Sequence, residues 1–191
     1  MLSCTYMYSK KKRNQSKISV LLKQEKKLFH TNDLALIWNI TNKNTLYTTI
    51  KRYVKKGILI SIQKGFYATT ELIKIDPVKL GIGYLHQYAY LSTESILVKQ
   101  GIIFQDIPYI TLVSGISKKF QIANNFYLVR QMQARFLYQT TGIVFKEGLR
   151  KATVERAVAD LLYFNPQYHL DGYKLVDWDK VLFIQKEVGF K

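Results

Sequence analysis

Apolar residues recur at helical spacing from Ser16 onward, and this pattern predicts two consecutive helices. The apolar stripe of the first predicted helix consists of Ile18, Leu21, Leu22 and Leu28. A second, short helix is predicted to begin at a cap formed by Thr31 or Asn32 and to end at Trp38. Asp33 lies in its first turn, where the helix dipole favours an acidic side chain.

A third helix is predicted over residues 43–56, after a break at residues 39–42 that is rich in turn and cap formers. Gly57 directly follows Lys55 and Lys56. Glycine adopts the left-handed cap conformation without strain, and cations suit the last helical turn. The helix is therefore expected to stop at Gly57.

Two short β-prone runs, residues 58–62 and 66–69, follow the third helix at once. They are joined by Gln63, Lys64 and Gly65, a three-residue hairpin loop with glycine at the position that needs a positive φ. Three helices followed by a hairpin are the order of a winged helix-turn-helix, a common DNA-binding motif.

Beyond residue 75 the pattern changes to alternating helical and strand-like segments. Helices are predicted after four starts: Asp76-Pro77, running to 88; Ser92, to 100; Thr153, to 164; and Asp177, to 189. Strands are predicted at residues 109–113, 120–123, 126–132 and 142–146, with Asn124 and Asn125 as a tight turn. This half is predicted to be a mixed α and β domain.

The expected fold class is α+β: a winged helix-turn-helix at residues 16–72, followed by a mixed α/β domain at residues 73–191. Residues 1–15 have no apolar periodicity and contain four consecutive cations at positions 10–13. They are predicted to be a flexible basic arm, a solvated tail being the simpler interpretation.

Charge is distributed unevenly along this chain of 191 residues, whose net charge is +16. Residues 1–75 hold 15 lysines and arginines against three acids, whereas residues 76–191 have a net charge of only +4. A polyanion, either nucleic acid or an acidic membrane surface, is the expected partner of such a chain. Its contact is expected in the N-terminal part.

The single cysteine, Cys4, excludes a disulfide framework and a cysteine-based metal site within the chain. No stretch approaches the roughly 20 apolar residues of a membrane span, and the N-terminus lacks the order of a signal peptide. These features predict a cytoplasmic protein that makes no membrane contact.

The third predicted helix has an apolar face and an opposite polar face that lacks acids. At about 100° per residue, its apolar face consists of Leu46, Ile50, Tyr53 and Val54. The opposite face carries Asn44, Thr45, Thr48, Lys51, Arg52 and Lys55. A helix that enters the major groove requires short polar groups near its N-terminus and cations further along.

Each polar side chain on this face has an expected role at DNA. Asn44 is the best candidate for a bidentate contact to adenine, and Thr45 or Thr48 can pack on a thymine methyl group. The cations of the face, together with Lys64 at the hairpin tip, are expected to contact phosphates. Tyr47 lies on the flank, either at the edge of the core or against DNA. A solvated lysine-rich helix is the simpler alternative.

No enzyme constellation emerges, so the chain is expected to be a non-enzyme without a metal or cofactor. None of the three histidines stands in a metal-ligand spacing: His30, His86 and His169. Asp177 and Asp179 are explained by capping of a helix start. Arg156 and Asp160, four residues apart, are expected to pair on the surface of their helix.

Three segments carry a resemblance to a known family: residues 90–95 (YLSTES), 110–114 (ITLVS) and 152–162 (ATVERAVADLL). With the basic N-terminal domain before them, they make residues 17–190 similar to the AbiEi family of antitoxins. These are two-domain antitoxins of type IV, abortive-infection toxin-antitoxin systems. Many relatives have proline where this chain has Val154, a small departure because proline only suits a first helical turn.

The resemblance implies an antitoxin and transcriptional autorepressor, whose N-terminal domain binds inverted repeats in its own promoter on double-stranded DNA. It also implies that the C-terminal domain counters a nucleotidyltransferase-like toxin encoded next door, with direct contact left open. Only residues 44–55 and the hairpin are carried over as DNA-binding positions.

Two other functions remain open at this point: a stand-alone regulator whose C-terminal domain senses a ligand or forms a dimer, and an enzyme targeted to nucleic acid. The C-terminal half adds one further candidate, a second basic surface. Its cations are Lys118, Lys119, Arg130, Arg135, Arg150 and Lys151. Solvation alone is the simpler explanation of these side chains.

Overall fold

A computed structural model describes residues 16–190 of the chain. The chain forms two compact units, Met1–Thr69 and Thr70–Lys191. This division falls three residues before the expected boundary at residue 72. The predicted basic arm, residues 1–15, and Cys4 within it lie outside the described residues. Mixed helix and strand content gives the α+β class in both units.

The N-terminal unit contains three helices and a three-stranded antiparallel sheet. In chain order its elements are α1 (Lys17–Leu22), β1 (Leu28–His30), α2 (Thr31–Trp38), α3 (Lys43–Lys55), β2 (Ile60–Gln63) and β3 (Phe66–Ala68). The strand order is β1-β3-β2, so the β2–β3 hairpin is widened by the short strand that precedes α2.

One core joins these elements. Its buried members are Leu21, Phe29, Leu34, Trp38, Leu46, Ile50, Tyr53, Leu59 and Tyr67. The Trp38 and Tyr53 rings meet edge to face, with centroids 5.2 Å apart, and the Trp38 indole donates a hydrogen bond to the Lys17 carbonyl. Trp38 thereby attaches both α1 and α3 to α2.

The first predicted helix is shorter than its apolar stripe suggests. α1 ends at Leu22, and Leu28 belongs instead to β1, where it pairs with Ala68. Five polar residues at positions 23–27 interrupt the stripe, and the chain becomes extended. The prediction that Leu28 belongs to the helix is wrong for this reason, and Leu22 is exposed.

The start of α2 also differs from the prediction. His30 is the N-cap, and its side chain and that of Asp33 form a reciprocal capping box. Thr31 and Asn32 therefore do not cap the helix. Asp33 lies in the first turn, as predicted, and also accepts a hydrogen bond from Lys26 at 2.7 Å.

The C-terminal unit is built on a six-stranded mixed sheet of order β6-β7-β5-β4-β9-β8. Its strands are β4 (Ala89–Leu91), β5 (Tyr109–Ser114), β6 (Lys118–Ile122), β7 (Asn125–Gln131), β8 (Ile143–Lys146) and β9 (Leu149–Ala152). Its α-helices are α4 (Pro77–Leu85), α5 (Glu94–Leu97), α6 (Ala134–Leu137), α7 (Val154–Phe164) and α8 (Trp178–Val188). Two 3-10 turns, Leu72–Lys74 and Tyr173–Leu175, complete it.

Helices cover both faces of this sheet. On one face α4 packs closely, and the Tyr127 hydroxyl of β7 donates a hydrogen bond of 2.8 Å to the carbonyl of Pro77 in its first turn. On the other face, Tyr90 and Val113 of the sheet share a core with residues of α7 and α8. The unit is therefore a three-layer α/β/α arrangement.

Gly81 sets how closely α4 can approach the sheet. A Cβ atom there would lie 2.6 Å from Tyr127 Cδ1 and 3.3 Å from Leu112 Cδ1. We expect Gly81→Ala to lower the free energy of unfolding by about 1–3 kcal/mol despite alanine's helix propensity, because both neighbours are buried. Urea denaturation would measure this change.

Gly115→Ala is the matched control, since its Cβ would meet only Leu137 Cδ2, at 3.7 Å. Equal denaturation midpoints for the two variants would contradict a steric role for Gly81.

Helix starts in this unit agree with the sequence at three of the four predicted positions. Asp76, Thr153 and Asp177 each accept a hydrogen bond from a backbone amide in the first turn of the following helix. The prediction for Ser92 is wrong. Thr93 is the N-cap of α5, because the Ser92 hydroxyl is occupied in the core.

A helix end, a turn and several short elements also differ from the prediction. α4 ends at Leu85 rather than near residue 88, because His86 adopts the left-handed conformation that terminates it. The tight turn is Ala123-Asn124, since Asn125 already pairs with Ile122. The pattern also missed the short elements β1, β4, α6 and β9.

Residues 16–190 contain no helix with both the length and the apolar character needed to cross a membrane.

Candidate nucleic-acid interface

The start of α3 is fixed by a side-chain cap. Asn42 is the N-cap and accepts a hydrogen bond from the Thr45 amide at 3.0 Å. The Thr45 hydroxyl donates to the same Asn42 oxygen at 3.3 Å. Asn39 in the left-handed conformation ends α2 just before this cap, so α3 has a defined first residue.

All six predicted contact residues on α3 lie on its exposed face: Asn44, Thr45, Thr48, Lys51, Arg52 and Lys55. The opposite face is buried through Leu46, Thr49, Ile50 and Tyr53. Val54 of the predicted apolar face is only half-buried. Thr49 was not predicted to be buried, and its hydroxyl donates to the Thr45 carbonyl at 2.7 Å.

Tyr47 belongs to the exposed face, because 55% of its surface is accessible. Of the two alternatives left by the sequence, this exposure favours a position on the polar surface of α3 over the edge of the core. An exposed aromatic side chain beside Asn44 and Thr48 extends the candidate interface with a flat apolar group. The face combines polar, cationic and aromatic side chains.

The β2–β3 hairpin ends in a tight turn beside the start of α2. Lys64 is exposed in this turn, and Gly65 has φ +80°. Gln63 still pairs with Phe66, so the turn contains two residues rather than the predicted three. The Gly65 carbonyl accepts a hydrogen bond of 3.0 Å from the Thr31 amide, which holds the turn against α2.

The electrostatic character of this region follows from its sequence. Residues 34–70 contain six lysines and arginines and no aspartate or glutamate. Asp33, just before this stretch, is already paired with Lys26. The exposed face of α3 and the hairpin tip therefore present cations without an acid in the same stretch, as a phosphate-contacting surface requires.

A buried ion pair lies at the centre of the C-terminal unit. Arg156 Nε donates a 2.8 Å hydrogen bond to Asp160 Oδ1, and both side chains are completely inaccessible to solvent. The expectation that this pair lies on the surface is wrong. Their helix, α7, is covered on nearly all sides and has no solvent-facing stripe at positions 156–161.

Each nitrogen of the Arg156 guanidinium and each oxygen of the Asp160 carboxylate has a protein partner. Tyr90 and Ser92 each donate a hydrogen bond to Asp160 Oδ2, at 3.1 and 2.7 Å. The Arg156 guanidinium also donates to the carbonyls of Gln139 and Thr141, at 3.0 and 2.8 Å. A satisfied network of this kind rigidifies a core and specifies one packing.

Burial and the contacts within this network shift the pKa values of its members. Burial raises the pKa of the Asp160 carboxyl, and its contacts with Arg156 and Ser92 oppose that rise. Burial lowers the pKa of Arg156, but the electrostatic and hydrogen-bonding interactions with Asp160 and Tyr90 together outweigh burial and raise the pKa overall. Burial and then the Asp160 charge raise the pKa of Tyr90, whose hydroxyl therefore keeps its proton.

The three segments that carry the family resemblance meet in this part of the core. Tyr90 and Ser92 come from the first segment, and Arg156 and Asp160 come from the third. Thr111, in the second, donates to the Ser92 carbonyl at 2.7 Å. The Thr111 amide also donates to Ser95 Oγ at 2.7 Å. Residues of the three segments therefore form a structural centre of the C-terminal unit.

The cations proposed for a second basic surface do not form one patch. Lys118 and Lys119 lie on β6, at one edge of the sheet, whereas Arg150 and Lys151 lie on β9, next to the other edge. Arg130, between them on β7, is paired with the buried Glu94. Arg135, on α6, is exposed.

Among residues 16–190, no group of three histidine, cysteine, aspartate or glutamate side chains is arranged to hold a metal ion. Asp177 instead acts as the cap of α8, and the side chain and amide of Lys180 lower its pKa.

No family model matches this sequence, and a search of curated proteins finds no match.

Proposed function

We propose that the N-terminal unit is a winged helix-turn-helix that binds double-stranded DNA, with α3 in the major groove and the β2–β3 hairpin as the wing. The observation that carries this proposal is the exposed, acid-free face of α3. Along this face Asn44 and Thr48 precede Lys51 and Lys55. This order is suited to contacts with base edges near the start of the helix and with phosphates further along.

The protein would act in the cytoplasm as a transcriptional autorepressor and as the antitoxin of a type IV toxin-antitoxin operon. What supports this role is the resemblance of residues 17–190 to AbiEi antitoxins. The DNA target would be inverted repeats in its own promoter. The C-terminal unit would counter a nucleotidyltransferase-like toxin, with direct contact left open.

A stand-alone regulator is the second candidate, in which the C-terminal unit senses a ligand or forms a dimer. A cleft of about 360 Å³ beside α5 favours it, since that volume suits a small molecule. Co-expression with the adjacent gene, scored by growth, separates the two candidates. Rescue from a toxic neighbour supports the antitoxin, and absence of such a gene supports the regulator.

Lys51→Ala tests the DNA contact directly. We expect it to reduce the slope of log affinity against log salt by about one, because each phosphate contact releases close to one counterion. Fluorescence anisotropy of a labelled promoter fragment with the full-length chain measures the slope. Affinity that does not depend on salt, or binding that survives deletion of residues 1–70, would contradict the proposal.

A further inference from the structure

The strand β8 is an edge strand with exposed apolar side chains. It pairs with β9 on one side and ends the sheet on the other. Val144 is 51% exposed and Phe145 is 66% exposed. Because side chains alternate along a strand, these two residues project from opposite faces of the sheet. Both faces of this edge are therefore apolar.

One residue of β8, Phe145, does not use its backbone amide and carbonyl to pair with β9. Lys146 and Leu149 flank the turn Glu147-Gly148, whose two residues both have positive φ, at 55° and 76°. In a two-residue hairpin the flanking pair is hydrogen-bonded, and the next pair is not. The amide and carbonyl of Phe145 therefore point away from β9, toward the open edge.

The opposite edge of the same sheet, β6, is protected against pairing with another chain. β6 exposes Lys118, Lys119 and Gln121, whereas its apolar residues Phe120 and Ile122 are half-buried and buried. Exposed lysines are a common protection against pairing with another chain. β8 has a single protective lysine, Lys146, at its end. The β8 edge is therefore more open to pairing with a further strand than the β6 edge.

The surroundings of β8 are cationic and aromatic. The Arg150 guanidinium lies 5.4 Å from the Phe145 ring centroid and 4.9 Å from that of Tyr88. Tyr138, itself 60% exposed, packs on Tyr88 with centroids 5.2 Å apart. Residues 143–152 contain three cations and one acid. Arginine and aromatic side chains are enriched in protein interfaces.

We propose that the β8 edge binds an extended, acidic segment of a partner protein, which adds to the sheet as a further strand. Such a strand would pair with the Phe145 backbone, contact Val144 and Phe145 from both faces, and place carboxylates near Lys146 and Arg150. The surface lies wholly within the C-terminal unit, so it is independent of the proposed DNA contact.

The same observations disfavour two other occupants. A second copy paired through its own β8 would bring two basic edges together, since residues 143–152 contain three cations and one acid. A nucleic acid could stack on the aromatic face but could not pair with the strand backbone or reach the Val144 face. An acidic peptide strand can pair with the Phe145 backbone, contact the Val144 and Phe145 side chains, and place carboxylates near the cations.

The first test uses a blocked peptide of about ten residues in which glutamate alternates with valine or threonine. It is added to the full-length chain. We expect amide exchange at Phe145 to slow by at least about tenfold when the peptide is bound, since that amide gains a hydrogen-bond acceptor. Nuclear magnetic resonance of the labelled chain reads this amide directly and needs no variant. Unchanged exchange at saturating peptide would overturn the proposal.

The second test separates the β8 edge from general charge attraction. Arg150→Glu is expected to weaken peptide binding by about tenfold or more, because it sets like charges against each other. Lys119→Glu makes the same charge change at the opposite edge and is expected to leave affinity nearly unchanged. Equal weakening by the two variants would overturn the proposal.

Two further outcomes would overturn it in favour of other occupants. The first is self-association of the chain, with protection of Phe145 before any peptide is added. The second is protection of the same amide by a single-stranded oligonucleotide.

Discussion

Replacing Lys51, Arg52 and Lys55 together by alanine is expected to weaken binding to the promoter fragment by about 100-fold near 0.15 M salt. Each of the three exposed cations is expected to neutralise one phosphate, and release of one counterion per contact is worth somewhat less than a factor of ten at this salt. The salt slope should fall by about three. Anisotropy titrations of the full-length chain at several salt concentrations measure both quantities.

A matched triple variant removes the same charge from the C-terminal unit: Lys99, Lys174 and Lys186, all exposed, become alanine. It should bind the promoter fragment with nearly unchanged affinity. If the two triple variants lose affinity equally, net charge rather than the face of α3 controls binding. A scrambled fragment of equal length provides the comparison for sequence preference.

Arg156→Met is expected to lower the free energy of unfolding of the C-terminal unit by about 3–5 kcal/mol, because it leaves the buried Asp160 without its counter-charge. It also leaves the carbonyls of Gln139 and Thr141 without their donor. Hydrogen exchange of peptides from β4 and α7 in increasing urea measures unfolding of this unit separately.

The surface pair Lys180–Asp177, three residues apart at 2.8 Å, supplies the control. Lys180→Met should leave the exchange midpoint unchanged, since an exposed pair contributes little. A double variant, Arg156→Met with Asp160→Leu, should be less destabilising than Arg156→Met alone, because it leaves no unpaired charge. An Arg156→Met effect as small as that of Lys180→Met would contradict the role assigned to the network.

Local signals explain most of what the sequence predicted correctly. Asp76, Thr153 and Asp177 act on amides two or three residues away, so their caps could be recognised without tertiary information. The polar face of α3 was recognised for the same reason, since helical periodicity and residue type along one segment define it. Every α3 residue proposed for DNA contact is exposed.

Tertiary packing explains the main errors. The spacing of Arg156 and Asp160 is the same for a surface pair and for a buried one, and only the packing of α7 distinguishes them. A signal was available: residues 157–162 are apolar except for Asp160, so α7 has no polar face to present. The strands β1, β4 and β9 have three or four residues, too few for an alternating pattern to be recognised.

The buried network of the C-terminal unit also has a consequence for the order of folding. Its hydrogen bond between Tyr90 and Asp160 joins residues 70 positions apart. In the N-terminal unit, the backbone hydrogen bond between Thr69, which follows β3, and Lys27, which precedes β1, joins residues only 42 positions apart. Contacts between distant residues form slowly, and a nascent chain can make them only after both partners have been synthesised. On the ribosome, the N-terminal unit can therefore be complete while the C-terminal unit still lacks α7.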